Sequence, residues 1–189
     1  MGRHPQTGAV TYVPAGETYF GPASLSRPGA WSRAGDALPD YTFRGPTDDD
    51  LLCIGARAKP RGAVQCQRNL LPGKYRCKVV RFTAFAAGRK SEALFWINAG
   101  EKAAVTTRFA GDCRWKPLKL EHASFVPNAG WLGFGVVVRG GDLWLYRPRL
   151  EIVPAAGLLP SVQDRIAACR KQLDRLSRQV PEAFPDNDR

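Results

Sequence analysis

The sequence predicts an all-β fold: a two-sheet jelly-roll β-sandwich with an extended N-terminal arm and a C-terminal amphipathic α-helix. Short runs of alternating, β-branched and aromatic residues follow one another between turn sequences from residue 51 to residue 157. The 19 glycines and 15 prolines among 189 residues favour many turns over long helices. Only the C-terminal region has a helical period. The predicted parts are an arm (1–50), the sandwich (51–157), a helix (158–181) and a polar tail (182–189).

The first part, residues 1–50, is predicted to be a loop-rich arm because proline and glycine recur along it and its apolar residues are scattered. Tyr19-Phe20, Trp31 and Tyr41-Thr42-Phe43 could each form a short strand or lie as an anchor across a neighbouring surface. An arm with this many aromatic side chains is expected to dock onto its own chain or onto a neighbour.

The second part contains eight strand segments at close spacing, which is typical of a jelly roll or a related two-sheet sandwich. They are Leu51–Arg57, Ala63–Asn69, Lys74–Phe85, Ala93–Asn98, Ala104–Phe109, Trp115–His122, Gly133–Arg139 and Asp142–Ile152. Turn chemistry separates the segments, including Ala87-Gly88-Arg89-Lys90 and the glycine pair Gly140-Gly141.

The third part has apolar residues at spacings of three and four, which form an a/d seam. The seam consists of Val162, Ile166, Cys169, Leu173, Leu176 and Val180. Ser161 is a candidate N-cap with Asp164 three residues later, and Pro181 is predicted to end the helix. The seam either packs on the sandwich of its own chain or forms a short coiled coil that holds two or three copies together.

The net charge of +11 is concentrated on the sandwich, where 18 basic and six acidic side chains give +12. A basic surface attracts acidic polysaccharide, nucleic acid, an anionic membrane surface or an acidic protein. The N-terminus lacks the apolar core of a signal peptide, and no segment approaches ~18 uninterrupted apolar residues. We therefore expect a soluble, unprocessed chain without membrane insertion.

The cysteines are predicted to be reduced and mostly buried. The chain has no Cys-x-x-Cys pair, and its two histidines cannot complete a zinc site. Its cysteines are Cys53, Cys66, Cys77, Cys113 and Cys169. An odd number of cysteines without a signal peptide fits free thiols, which behave as small hydrophobic side chains. The fold is expected to need no disulfide, metal or cofactor.

Signatures of enzymes are sparse, and the sequence predicts a protein that is not an enzyme. It has no Gly-x-Ser-x-Gly, no phosphate-binding Gly-x-x-x-x-Gly-Lys and no His-Glu-x-x-His. Cys113 and His122 offer a nucleophile and a base by residue type alone. Asp48-Asp49-Asp50 lacks the spacing of a calcium loop and is predicted to be a solvated turn.

Tryptophans are the candidate contacts for a glycan. Trp31 and Trp131 lie in Gly/Pro-rich loops, where an exposed ring could stack on the apolar face of a sugar, although burial under a loop is the alternative. Trp96 lies on one face of its predicted strand, and that face is either core or exposed. Trp115 and Trp144 are predicted to be core residues.

Basic side chains are the candidate contacts for an anionic partner. Alternation places three of them on one face of the strand after the Pro72-Gly73 turn and two on one face of the closing strand. These residues are Lys74, Arg76, Lys78, Arg147 and Arg149. In one sheet they would form a positive plate for carboxylates or phosphates. Nucleic acid is the weaker expectation because the usual interleaving of basic and exposed aromatic residues is missing.

Residues 64–153 resemble the carbohydrate-binding-module type of jelly roll, also called the galactose-binding-like fold. Three motifs carry the resemblance: the strand opener, the mid-domain tryptophan strand and the closing strand. They are Leu70-Leu71-Pro72-Gly73-Lys74-Tyr75-Arg76, Trp115-Lys116-Pro117-Leu118, and Gly141-Asp142-Leu143-Trp144-Leu145 running into Arg149-Leu150-Glu151. The resemblance covers about half of the chain and implies a fold more than a function. Tyr146 and Arg147 replace an acidic pair common in such modules, which argues against their calcium site.

Modules of this kind are similar to domains that decorate capsids or form fibres and spikes in bacteriophages and phage-like particles. The resemblance implies a non-enzymatic structural or adhesion protein of such a virion, made in the host cytoplasm and assembled into the particle. Its partners would be one or two copies of itself, other virion proteins bound through the arm, and a host-surface glycan. The alternatives are a free-standing glycan-binding module for acidic polysaccharide and a nucleic-acid-binding basic protein.

Overall fold

The structure is a computed structural model that describes residues 31–35, 37–45, 51–57, 59–70, 73–98, 105–123, 127 and 131–179. Within them the strands are β1 (Trp31–Ala34), β2 (Tyr41–Arg44), β3 (Leu51–Ala56), β4 (Val64–Leu70), β5 (Val79–Asn98), β6 (Val105–Ala123) and β7 (Leu132–Ile152), and the α-helix is α1 (Pro160–Gln179). This confirms the predicted all-β jelly-roll sandwich with a C-terminal helix. None of the helical segments described is long and apolar enough to span a membrane.

Three long strands, β5, β6 and β7, run through both halves of the sandwich. β7 is central, because its first half pairs with β4 and its second half pairs with β3. On its other side β7 pairs with β5, which pairs in turn with β6. The first half of the sandwich therefore has the order β1-β4-β7-β5-β6, and the second half has the order β2-β3-β7-β5-β6, with every pairing antiparallel.

The long strands bend between the two halves, where the sequence predicts turns. The predicted segment Ala93–Asn98 and the part of the predicted segment Lys74–Phe85 from Val79 onward both belong to β5, which continues through a shift in its pairing with β7. Residues 74–78 lie before the strand, which corrects the predicted start. Lys90 in β5 has a φ of 49°, and Gly141 in β7 has a φ of 69°. A Cβ on Gly141 would overlap the carbonyl oxygen of Lys90, so glycine is required where the two bends meet.

The interior lies between the two halves of the bent sheet. Phe82 and Phe95 belong to the same strand, yet their ring centroids are 6.3 Å apart. A straight strand would separate residues thirteen positions apart by about 43 Å. Phe134 packs on Phe82 at a centroid distance of 4.9 Å, and all three rings are buried in one cluster that includes side chains from β2 to β7. The closure of the sheet around this cluster makes the fold a sandwich.

The end of the predicted arm belongs to the sheet. β1 pairs with β4 and β2 pairs with β3, so Trp31 and Tyr41-Thr42-Phe43 adopt the strand alternative. The buried hydroxyl of Tyr41 shares its proton between the carbonyl oxygens of Gly62, at 2.9 Å, and Val138, at 3.1 Å. This contact links β2 to the first half of the sandwich. Tyr19-Phe20 lies outside the described residues.

The seam of α1 packs on the sandwich of its own chain. Its buried members are Ile166, Cys169 and Leu173, its half-buried members are Val162 and Leu176, and Val180 lies outside the described residues. The helix begins at Pro160, so Ser161 lies within the first turn and does not cap it. A coiled coil between copies stays a prediction, and it would require the buried side chains to leave their own sandwich.

A disulfide joins Cys77 to Cys169, which corrects the prediction that all cysteines are reduced. Cys77 lies in the turn before β5, and its Cα is 5.5 Å from that of Cys169, within the normal range for bridged cysteines. The two residues are 92 positions apart, and spacing alone gives no sign of such a pairing. The free thiols are Cys53 and Cys66, which are buried, and Cys113, which is half-buried.

Candidate functional site

The candidate site is the outer surface of the second half of the sandwich, turned away from the interior. Side chains alternate across each strand, so every second residue of β2, β3, β7 and β5 faces this surface. One row in register consists of Thr42, Gly55, Asp142 and Arg89. The next row consists of Arg44, Cys53, Trp144 and Ala87. The strand pairing thus brings together residues from four strands that are distant in sequence.

Aromatic rings extend this surface beyond the second row. Tyr146 of β7 has its ring centroid 6.4 Å from that of Phe85 in β5 and 6.2 Å from that of Trp115 in β6. The Arg147 guanidinium lies 5.0 Å from the Tyr146 ring, within the range of a cation–π contact. Phe85 is 47% exposed. We call the surface formed by Phe85, Trp115, Trp144 and Tyr146 the aromatic face.

A hollow of about 100 Å³ opens beside the aromatic face. Gly55 is part of its lining, and an added Cβ there would be 2.9 Å from Thr42 Oγ1 and 3.1 Å from Asp142 Oδ1. A side chain at this position would therefore press on both polar groups. Around Gly55 stand Thr42, Arg44, Cys53, Arg89, Asp142 and Trp144. We call this space the Gly55 hollow.

An ion pair borders the Gly55 hollow. Arg89 Nε donates a hydrogen bond to Asp142 Oδ2 at 2.8 Å, and Arg89 Nη2 donates to the same oxygen. The other carboxylate oxygen, Oδ1, lies close to the position that a Gly55 side chain would occupy. Oδ1 receives no hydrogen bond from any residue in the described part of the chain. The guanidinium thus fixes the carboxylate while one of its oxygens stays available to a ligand.

The thiols near this surface are not arranged for nucleophilic catalysis. Burial raises the pKa of Cys53 to about 12, although Arg44 lowers it in part, so the thiol is protonated at neutral pH. Cys113 and His122 are nine positions apart on β6, a separation of about 30 Å along the strand. Among the described residues, no three metal-binding side chains come together. The arrangement suits the binding of a polar ligand against an aromatic surface.

The tryptophans predicted to contact a glycan lie away from the aromatic face. The prediction that Trp31 lies in a loop is wrong, because Trp31 begins β1. Its ring packs edge-on against that of Phe134, with the ring centroids 5.8 Å apart. Trp96 lies on the outer surface of the first half, opposite Gly135 in register, but only 8% of it is exposed. Trp131 precedes β7 and is 36% exposed. Of these three rings, Trp131 has the most surface to offer a ligand.

The predicted positive plate does not form as a strand face. The backbone turns before β5, where the amide of Arg76 donates to the Gly73 carbonyl oxygen at 3.2 Å and Cys77 has a φ of 50°. The strand begins only at Val79, so strand alternation does not apply to the three basic residues before it. Those residues are Lys74, Arg76 and Lys78. The other two members of the plate, Arg147 and Arg149, are exposed on β7.

Sequence reasoning predicted Trp115 and Trp144 as core residues, which is confirmed for the buried Trp144, while Trp115 is partly buried against the same cluster. It did not identify the side of the sheet on which they lie. Trp144 is buried, but it packs with Leu51 and Tyr146 on the outside of the sheet. The segment Leu143-Trp144-Leu145-Tyr146 is apolar at every position, so alternation cannot identify its interior side. This run of apolar residues was also the sequence signal for the aromatic face, because a strand that is apolar on both sides has each side either packed against other residues or available to a partner.

No protein-family model and no curated protein matches the sequence. Among solved structures, the module TmCBM61, determined with β-1,4-galactotriose, is 14% identical over 69% of this chain and 98% of its own, with a TM-score of 0.49. The CBM22-1 xylan-binding domain from Paenibacillus barcinonensis Xyn10C is 10% identical over 67% of this chain and 87% of its own, with a TM-score of 0.45. The enzymatically active domain of bacteriophage CBA120 tailspike protein 4 is 10% identical over 67% of this chain and 20% of its own, with a TM-score of 0.49. These solved structures, carbohydrate-binding modules among them, are what the chain is similar to, each with a TM-score below 0.5.

Proposed function

We propose that this protein is a non-enzymatic glycan-binding module that holds its ligand on the aromatic face and in the Gly55 hollow. The observation that carries the proposal is the position of the aromatic face, outside the interior and directly beside a polar hollow. Binding sites for small polar molecules combine apolar walls with a few well-placed polar groups. A sugar matches both parts, because its ring has apolar faces and a rim of hydroxyl groups.

The exposed ring of Phe85 gives the ligand a place to stack. Tyr146 lies buried between Phe85 and Trp115, and its contacts with both rings hold them in position. A pyranose that covers Phe85 would remove apolar surface from water without ordering a flexible side chain. The free energy gained this way would come from a preformed surface.

A glycan array tests this proposal. The unmodified protein is expected to bind a restricted set of glycans, and Phe85→Ala or Trp115→Ala is expected to weaken binding about tenfold, because a ring contact is worth roughly 1.4 kcal/mol. Trp131→Ala is the matched control, since it removes an exposed ring that is not part of the aromatic face. A blank array, or binding lost only in Trp131→Ala, would contradict the proposal.

The setting that we propose for this module is a phage-like particle, as a capsid decoration or as part of a fibre or spike. Support comes from the segments on either side of the sandwich, residues 1–30 and α1, which could contact other virion proteins. Synthesis in the host cytoplasm would leave Cys77 and Cys169 reduced until the particle leaves the cell. Mass spectrometry of particles purified from the encoding cells should detect the chain, and particles that lack it would refute this setting.

The oligomer through α1 also belongs to this proposal. A dimer or trimer should sediment at two or three times the mass of one chain, and it requires Ile166 to exchange its contacts with Val79 and Val153 of its own sandwich for contacts with another copy. Ile166→Asp should reduce that mass because it places a charge in the seam, and it should also lower the stability of the single chain, where the same side chain is buried. Sedimentation equilibrium distinguishes these states. A monomeric unmodified protein would remove the oligomer from the account.

A further inference from the structure

We infer that the Gly55 hollow recognises two adjacent hydroxyl groups of a single neutral pyranose, through Asp142 Oδ1 and Arg89 acting together. The inference rests on the proposed glycan binding and narrows it to one sugar unit and one feature of that unit.

Asp142 Oδ1 is the hydrogen-bond acceptor of the Gly55 hollow. Both hydrogen bonds from Arg89 end on Asp142 Oδ2, and Oδ1 is left over Gly55 without a donor among the described residues. The Asp142 side chain is only 19% exposed, so bulk water reaches this oxygen incompletely. A charged acceptor in such a place forms a strong hydrogen bond with a hydroxyl donor. It repels a carboxylate or phosphate at the same point, so the group that binds this oxygen is a neutral hydroxyl.

Arg89 is the hydrogen-bond donor beside that acceptor. Arg89 uses Nε and Nη2 to bind Asp142, and its Nη1 has no acceptor in the parts of the chain that the structure describes. The guanidinium is planar, so these two contacts also fix the direction of the remaining N–H groups. The ion pair therefore presents an acceptor and a donor next to each other. Two adjacent hydroxyls match this pair, because one can donate to the carboxylate while the other accepts from the guanidinium.

The size and shape of the Gly55 hollow limit what it can hold. A hollow of about 100 Å³ holds roughly three waters at ~30 Å³ each, which gives room for the edge of a pyranose with two hydroxyls and not for its whole ring. Trp144 follows Asp142 by two residues on the same side of β7, about 6.6 Å along the strand, and forms a wall of the hollow. On the other side of Gly55, the Thr42 hydroxyl donates to the Gly55 carbonyl oxygen at 3.2 Å, so its oxygen can accept from the sugar.

Titration calorimetry with methyl glycosides of galactose, glucose and mannose, and with monodeoxy derivatives of the tightest of the three, tests the inference. Loss of either hydroxyl of one adjacent pair should weaken binding at least tenfold, because a buried polar group then stays unpaired, and loss of the other hydroxyls should change it less than threefold. The corresponding uronic acid should not bind more tightly than the neutral glycoside.

Two substitutions address the hollow itself. Asp142→Asn keeps the shape but removes the charge, and Gly55→Ala places a methyl group in the hollow, so each should weaken binding at least tenfold. Gly140→Ala is the matched control, because nothing lies within 4 Å of the added Cβ. Thermal unfolding identifies any variant that fails to fold, and Asp142→Asn preserves the test if Gly55→Ala is one of them.

The two proposals fail in different ways. If no glycan on the array binds the unmodified protein, the proposed function falls and the inference falls with it. If glycans bind in a manner that depends on Phe85, but Asp142→Asn and Gly55→Ala bind them as tightly as the unmodified protein, the inference alone is overturned. Tighter binding of the uronic acid would also overturn it.

Discussion

Gly135 lies in β7 between β4 and β5, where neighbouring atoms leave no room for a side chain. An added Cβ would overlap the carbonyl oxygen of Cys66 and would lie 2.7 Å from the Cα of Gln67. Both atoms belong to the backbone of β4, so relief requires the strand itself to move. At this position the spacing between strands, not side-chain chemistry, determines the residue.

Gly135→Ala is therefore expected to lower the free energy of unfolding by roughly 1–3 kcal/mol, the usual cost of overpacking. Gly140→Ala in the same strand has open space around the added Cβ and is expected to change the free energy by no more than about 1 kcal/mol. Urea unfolding measures both values. Equal losses in the two variants would show that the crowding at Gly135 has no energetic effect.

Tyr41 provides a second prediction at this scale. Tyr41→Phe removes a buried hydroxyl bonded to two carbonyl oxygens and should cost about 1–2 kcal/mol in the free energy of unfolding. Burial raises the pKa of Tyr41 to about 12, so folding favours the neutral phenol. Its contribution is complete below pH 10 and is lost as the pH rises from 10 to 12.

The stability difference between the unmodified protein and Tyr41→Phe should therefore be smaller at pH 11 than at pH 8. Measuring both proteins at each pH cancels the effect of the thiols of Cys53 and Cys66, whose pKa values burial also raises to about 12. A difference that stays constant between the two pH values would contradict the buried, hydrogen-bonded position of the phenol.

The strands were predictable from the sequence, but their connections were not. The predicted Leu51–Arg57 and Ala63–Asn69 nearly coincide with β3 and β4, because alternation and flanking turn residues define short strands well. Glycine-rich segments such as Gly140-Gly141 fit a turn or a bend equally well, since glycine permits the same positive φ in both. Only the pairing with distant strands decides between them. The aromatic face was missed for a related reason, because Leu143-Trp144-Leu145-Tyr146 has no polar side.

The link between α1 and the sandwich also depends on a distant contact. The Cys77–Cys169 disulfide closes a loop of 92 residues, and loop-closure entropy alone predicts that it stabilises the fold by about 4.6 kcal/mol. Cys77→Ala should lower the free energy of unfolding in urea by up to that amount, and Cys113→Ala, which removes a free thiol, should not. If a reductant leaves the stability of the unmodified protein unchanged, the bond does not form in solution.

Over the whole molecule, the excess of basic residues predicts electrostatic binding of polyanions. Its dependence on salt concentration should distinguish it from glycan binding. The chain carries a net charge of +11, so it should bind DNA or another polyanion at low ionic strength. Each neutralised phosphate releases counterions, and affinity should fall steeply between about 50 and 200 mM salt. Glycan binding on the aromatic face involves stacking and hydrogen bonds, so it should change little over that range.

Fluorescence anisotropy of a labelled oligonucleotide, measured beside glycan binding at both salt concentrations, checks this separation. Affinity for DNA that persists at high salt would indicate a specific nucleic-acid site and would support the alternative of a nucleic-acid-binding protein. Glycan binding that disappears with the DNA binding would show that charge, and not the aromatic face, holds the sugar.

The most direct test of the central claim uses the five tryptophans as reporters of position. Two of them, Trp115 and Trp144, belong to the aromatic face, while Trp31, Trp96 and Trp131 lie elsewhere on the sandwich. In NMR spectra of the ¹⁵N-labelled protein, each indole N–H gives its own signal, which single substitutions assign. Adding a glycan that binds on the array should shift the signals of Trp115 and Trp144 and leave the other three in place. Shifts confined to Trp131 or Trp96 would place the site on another surface and contradict the account.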